Sequence, residues 1–163
     1  MDSFGDLFSP RQLVGLNTFS DLVLEAREKV IEDAKGAGMP DDYKGINDGG
    51  KGATAYGDAL AVYLVFALDK SADYWSTICS WHSSKELIRN TFGRQAIPMV
   101  WDYAETNPFS ESTGNSLSGI QWGKKVLELL PTKKEGFTYQ KAAQNQTIST
   151  NKIISTDPPY YDN

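Results

Sequence analysis

One cysteine, Cys79, and one histidine, His82, stand in 163 residues. A lone cysteine excludes an internal disulfide and suits a reducing compartment. A structural zinc site takes four Cys or His ligands, twice what the chain holds. No apolar run reaches the roughly 18 residues of a membrane-spanning helix. A basic, apolar leader is missing too: Met1-Asp2-Ser3-Phe4-Gly5-Asp6 is acidic. The expectation is a cytoplasmic protein with no membrane partner. Positive charge is also short. With 16 Lys and Arg against 21 Asp and Glu, the formal net charge is -5. A chain that binds nucleic acid over its whole surface is usually basic, so any DNA contact is local or relies on positive charge elsewhere in a larger protein. No internal repeat is present. What remains is ordinary for a folded domain: hydrophobic residues at 40% and charged residues at 23% exclude collagen and wholesale disorder.

Helical periodicity dominates. Residues 9–35 read as a helix, with Ser9 as N-cap, Pro10 at the first helical position and Gln12 completing a capping box. Leu13, Leu16, Phe19, Val23, Ala26, Val30 and Ala34 mark one apolar stripe, and Gly36 serves as the stop. A loop rich in Gly, Asp and Asn covers 36–52. A second helix begins near Ala53 and runs to Ala67 or further. Its segment Ala59–Leu68 is apolar on every side, the mark of a central helix with several neighbours. Asp69-Lys70-Ser71 either breaks it or surfaces it, and Ala72–Trp81 is a possible continuation. Lys85–Ile88 reads as a helical turn, Pro98–Glu105 as a short helix, and Leu117–Leu130 as a third amphipathic helix closed by Pro131. Strand signals are confined to the C-terminal part, at Phe137–Lys141 and at the β-branched run Ile153-Ile154-Ser155-Thr156. The expected fold class is mainly α: a helical region over 1–131, then a short strand-containing segment over 132–163.

Four places carry candidate chemistry. Gly45-Ile46-Asn47-Asp48-Gly49-Gly50-Lys51-Gly52 matches a phosphate-binding loop up to the lysine. The Ser or Thr that would hold magnesium is Gly52, and polar residues precede the loop where a buried strand belongs. A glycine turn into the second helix explains it better. Cys79 and His82 lack the further ligands of a metal site and an orienting group for nucleophilic catalysis, which leaves Cys79 as a small core residue and His82 as a surface or capping one. The cluster Phe92-Gly93-Arg94-Gln95, Trp101-Asp102-Tyr103 and Glu105 to Phe109 has the residue types of a nucleic-acid contact and equally those of helix packing, which is the favoured reading.

The fourth is Asp157-Pro158-Pro159-Tyr160. Two prolines cannot extend a sheet ladder, so the backbone must leave any strand there. Pro158 also holds Asp157 extended. Asp157 is then expected to project from the end of Ile153–Thr156, where α/β sheets place ligand sites, with Tyr160 offering a ring face for stacking. A surface turn is the plainer alternative.

A strand followed by Asp-Pro-Pro-Tyr resembles the catalytic motif of amino methyltransferases that modify adenine N6 in DNA. The longer run Ser155-Thr156-Asp157-Pro158-Pro159-Tyr160-Tyr161-Asp162-Asn163 is similar to that of a family of large prokaryotic adenine-specific DNA methylases containing a zinc ribbon. Asp6–Leu13, Gly52–Tyr56 and Phe92–Glu105 resemble the same family, in the same order. The resemblance implies direct methyl transfer from S-adenosylmethionine to the exocyclic amine of a flipped-out base. It implies that the Asp157 side chain and the Pro158 carbonyl accept the amine's two hydrogens, that Tyr160 stacks on the base and that Pro159 stiffens the turn. The help given is chiefly positioning. Asp at the first position of the motif goes with adenine; Asn there would suggest glutamine in proteins, and Ser cytosine N4.

The family's glycine-rich cofactor turn is absent, as are the cysteine pairs of the zinc ribbon. The chain is therefore expected to be an excised internal segment of a Rossmann-like α/β methyltransferase, catalytically incompetent alone, with the S-adenosylmethionine site outside it and DNA as partner of the parent enzyme. The alternative is a helical module that binds nucleic acid or a partner without catalysis of its own. A nucleotide-hydrolysing protein built on Gly45–Gly52 is a third class.

Overall fold

The computed structural model describes residues 2–93, 96–130 and 136–157. The chain divides into two units, Met1–Leu130 and Pro131–Asn163. Among the described residues the first holds the three α-helices, α1 (Pro10–Gly36), α2 (Ala53–Ala72) and α3 (Ser116–Leu129). Two short strands, β1 (Trp81–His82) and β2 (Leu87–Ile88), pair antiparallel between α2 and α3. No helix among the described residues is long and apolar enough to cross a membrane.

The start of α1 follows the expected signals. Ser9 Oγ accepts from the Gln12 N–H, and Gln12 Oε1 accepts from the Ser9 N–H at 2.8 Å, a reciprocal cap at two otherwise unpaired donors. Its end differs by two residues. Gly36 remains helical, Ala37 caps, and Gly38 takes the left-handed conformation at φ +89°. The α2 helix runs through Asp69-Lys70-Ser71 without breaking; Ser71 is buried, its hydroxyl satisfied by the Ala67 carbonyl.

The packing of α1 on α2 depends on a missing side chain. A Cβ at Gly57 would lie 2.5 Å from Ile31 Cγ1, so only glycine lets the helices approach this closely. Gly119 does the same for α3, where a Cβ would meet the Ala67 carbonyl oxygen at 2.6 Å. The α2 helix is thus the middle element, touching α1 and α3. It is not enclosed, however: Val62, Tyr63, Val65 and Phe66 remain exposed. An all-round apolar sequence meant several neighbours, and this unit supplies two.

Residues 73–115 depart most from expectation. The Ala72–Trp81 stretch does not continue α2 but turns tightly, with Tyr74 N–H donating to the Ser71 carbonyl. Lys85–Ile88 is no helical turn. Glu86 takes a positive φ of 51°, and the chain reverses to pair Trp81 with Ile88 and His82 with Leu87. Pro98–Glu105 forms no helix either; it runs irregularly and is tied down where the Ala104 N–H donates to the Cys79 carbonyl at 2.7 Å.

In the second unit the described residues form a single 3-10 turn at Ala143–Asn145. The expected C-terminal strands are corrected here. Phe137–Lys141 and Ile153–Thr156 are exposed, irregular backbone without a ladder partner among the described residues. A β-branched run favours extension, but a strand exists only through its neighbour's hydrogen bonds. The observed class is mainly helical with one small antiparallel sheet.

Candidate functional site

Asp157 lies at the end of that irregular stretch, exposed, and no hydrogen bond reaches it among the described residues. Pro158, Pro159 and Tyr160 lie outside the described residues. The expectation that Asp157 projects from a strand end is thus corrected for the chain as it stands, since no strand precedes it.

The loop at Gly45–Gly52 is largely self-bonded, which favours the glycine turn over a phosphate cradle. A phosphate cradle needs free backbone N–H groups. Here the chain's own carboxylates and carbonyls take those of Ile46, Asp48, Gly49, Gly50 and Lys51. Ile46 N–H donates to Asp58 Oδ2 at 2.9 Å, and Lys51 N–H to Asp42 Oδ2 at 3.3 Å. The Gly50 N–H donates to the Gly45 carbonyl, and the Ala53 N–H to the Pro40 carbonyl. Thr54 N–H and Oγ1 donate to Asp41, whose carboxylate thereby caps α2 from outside the helix. The glycines serve close approach: a Cβ at Gly50 would lie 2.1 Å from the Lys44 carbonyl oxygen, and one at Gly52 2.6 Å from Asp41 Cα.

Asp41 is the centre of this corner. Lys35 Nζ sits 2.9 Å from its Oδ2 and 4.8 Å from the Tyr43 ring centroid. The hydrogen bond from Lys35, then those from Thr54 and Tyr43, hold the Asp41 carboxyl well below its ordinary 3.8. Asp58 is lowered as well, by the Ile46 N–H and by Arg27, which it meets at 2.7 Å. A carboxylate whose folded pKa lies below its unfolded value stabilises the fold fully above that value and loses its contribution as pH falls through the folded one. The melting temperature of the first unit should therefore drop as the solution is acidified below about pH 4. Asp41→Asn should lower it at neutral pH and flatten that acid limb. A thermal-melt series from pH 7 to 2, with circular dichroism, checks both; an unchanged slope in the variant refutes the assignment.

Cys79 is fully buried, as a core residue. Its Sγ lies 3.4 Å from both Ser76 Oγ and Thr91 Oγ1, in a hydroxyl network that ends on the Asp73 carbonyl. His82 is half-buried on the β1 strand, with Nδ1 3.1 Å from Ser84 Oγ. The two residues have separate hydrogen-bond partners, so nothing joins them into one centre.

The third cluster splits. Arg94 and Gln95 lie outside the described residues. Trp101 is 91% exposed, so helix packing does not account for it, whereas the Phe109 ring, though largely exposed, lies 6.0 Å from that of Phe19 on α1. Glu105 does have a structural partner. Its carboxylate receives both Nε, at 3.1 Å, and Nη2 of Arg11, a bidentate pair that raises the Arg11 pKa. This joins the first turn of α1 to the segment before α3.

Between them lies a cavity of about 340 Å³ lined by Arg11, Gln12, Gly15, Trp75, Glu105 and Pro108, among others. Gln12 is 6% exposed, and its Nε2 has no hydrogen-bond partner among the described residues. The sequence marked Gln12 only as part of a cap. The one available signal was that a glutamine in a capping box uses its oxygen and leaves its NH₂ to be satisfied elsewhere.

A second, more apolar groove runs where α1, α2 and α3 converge, lined by Phe19, Leu22, Val23, Leu64, Leu68 and Ile120. For S-adenosylmethionine the described residues offer no fit. The one glycine-rich loop is closed by its own carboxylates, and no strand feeds a glycine turn into a helix. No family model, curated protein or solved structure matches the chain.

Proposed function

We propose that the chain is part of an S-adenosylmethionine-dependent methyltransferase acting on adenine N6 in DNA, inactive without the rest of that enzyme. The observation that carries the reading is the run Ser155–Asn163 around Asp157-Pro158-Pro159-Tyr160. Asp157 and the Pro158 carbonyl accept hydrogen bonds from the exocyclic amine, and Tyr160 stacks on the base. Two other segments that resemble the family, Asp6–Leu13 and Phe92–Glu105, lie far apart in sequence. Their joining by Arg11 and Glu105 supports the reading, because a shared contact gives both segments one structural purpose. The cofactor site belongs to residues outside the chain, and what this chain contributes is the positioning of the adenine amine.

The test is tritiated-methyl incorporation into adenine-containing DNA by the full protein encoded around this segment. Incorporation as N6-methyladenine by that protein, with none by residues 1–163 alone, is the expected result. No incorporation by the full protein sinks the reading, and micromolar binding of S-adenosylmethionine by residues 1–163 sinks the placement of the cofactor site. The alternative, a helical binding module without catalysis, is favoured by one observation: the apolar groove and the bare Val62–Phe66 face are surfaces of a kind that partners cover.

A further inference from the structure

We infer that the cavity on the β1–β2 hairpin binds a phosphate group, held by Lys85, Arg89 and His82. The inference does not rest on the methyltransferase reading: the cavity lies in the first unit and shares no residue with Asp157–Tyr160.

The pairing of the hairpin brings the cations together. His82 stands opposite Leu87, and the Arg89 N–H donates to the Ser80 carbonyl at 2.8 Å. Side chains alternate between the two faces of a strand pair, so Ser80, His82, Leu87 and Arg89 share one face. All four line a cavity of about 530 Å³, with Tyr74 and Val100 among its other walls. His82 and Arg89 are diagonal neighbours on that face, about 7–8 Å apart by the geometry of antiparallel pairs and within reach of long side chains. Lys85, also in the lining, stands at the turn, where its N–H donates to the His82 carbonyl at 3.1 Å.

Charge sets the ligand class. The chain carries a net charge of -5, yet this lining holds Lys85, Arg89 and His82 and no carboxylate. Arg11, Arg27 and Lys35 each meet a carboxylate, whereas Lys85 and Arg89 form no ion pair among the described residues. The one acid of the hairpin, Glu86, sits at the turn outside the lining. Asp73, which is bonded to the end of the hairpin, is occupied by the Phe92 N–H and by Asn90 Nδ2. Like charges on one face of a strand pair repel, and an anion between them replaces that repulsion with attraction. His82 adds a donor: Ser84 Oγ lies 3.1 Å from Nδ1, and when the hydroxyl donates there the ring proton sits on Nε2. A guanidinium fork, an ammonium and an imidazole N–H match the several oxygens and double charge of a phosphate monoester better than the single charge of a carboxylate. The volume falls within the range of about 300–1,000 Å³ for ligand sites and exceeds that of bare phosphate, which leaves Leu87 and Val100 to meet the body that carries it.

A free sugar phosphate and the backbone of a nucleic-acid strand present the same group. The probes are ribose 5-phosphate and a short deoxythymidine oligonucleotide, each titrated into the whole chain at fixed ionic strength. His82 is the one histidine of the chain, so its imidazole proton signal in NMR reports on this cavity alone. Saturable displacement of that signal by at least one probe is expected. Arg89→Gln and Lys85→Gln, both at exposed positions, should each weaken binding tenfold or more without lowering the melting temperature, while Lys29→Gln on α1 should leave it unchanged. A response to ribose 5-phosphate points to a free ligand, and a response to the oligonucleotide alone to a strand. No saturable shift with either probe overturns the inference, as does an equal shift with succinate or unchanged affinity in both folded variants.

Discussion

Trp75→Ala should destabilise the first unit by about 3–5 kcal/mol, the range for removing a large aromatic from a packed site. Trp75 is 4% exposed in a unit whose buried hydrophobic residues are few and mostly small, so no other side chain there fills comparable space. Its ring lies 5.4 Å from that of Phe19 on α1, and its Nε1 holds the Gly114 carbonyl ahead of α3. Gly114 has φ +87°, and a Cβ there would lie 2.8 Å from Tyr74 Cβ, so this turn is tied down on both sides. Truncation leaves a void and an unpaired carbonyl together. Against total stabilities of about 5–15 kcal/mol, that loss is a large fraction. Urea unfolding followed by circular dichroism measures it. Trp75→Phe, which keeps a ring but loses the donor, should fall between the two. A loss under about 1 kcal/mol for the alanine variant would mean that Trp75 is not the keystone of this packing.

Asp157→Ala in the full enzyme should abolish methyl transfer and leave the fold unchanged. Asp157 is exposed and bonded to nothing among the described residues, so its removal takes no contact from the packed unit. If it accepts from the exocyclic amine, its loss leaves that nitrogen conjugated and poorly nucleophilic. Tyr160→Ala should weaken base stacking by about 1–3 kcal/mol, and Tyr160→Phe by less, because the ring face is retained. Methyl incorporation into DNA, with circular dichroism as folding control, decides. Near-normal turnover by Asp157→Ala would reduce the tetrapeptide to a turn.

Local signals read correctly where the chain satisfies itself locally. The cap Ser9–Gln12 and the range of α3 within one residue were legible, because each depends on residues three or four apart, and the stripe of α1 is half-buried as expected, but the buried positions of that helix, Gln12 and Ile31, were not on it. Residues 73–115 were not. Their shape is set by distant hydrogen bonds, such as Thr91 to the Asp73 carbonyl and Ala104 to Cys79, which leave no periodic trace. Ile153–Thr156 failed for the complementary reason: it has strand composition but no ladder partner among the described residues. The sequence set the glycine loop apart from a phosphate site on the missing Ser or Thr; that the Ile46 and Lys51 amides are bonded to Asp58 and Asp42 is visible only in three dimensions. The cavity at Gln12 left no pattern, since its walls come from positions around 11–15, 75 and 105–108.

The tie from Arg11 to Glu105 also orders events during synthesis. It spans 94 positions, and the bonds from Thr77 to the Leu7 carbonyl span 70. On the ribosome α1 and α2 are both out once residue 72 has emerged, but the Trp75 ring that meets Phe19 follows them. The first turn of α1 and the segment ahead of it must wait for the later chain. Loop-closure entropy opposes such distant pairings until packing repays it. The first turn of α1 thus emerges well before the residues that fix it, and a growing chain leaves the Leu7 carbonyl unpaired until Thr77 arrives.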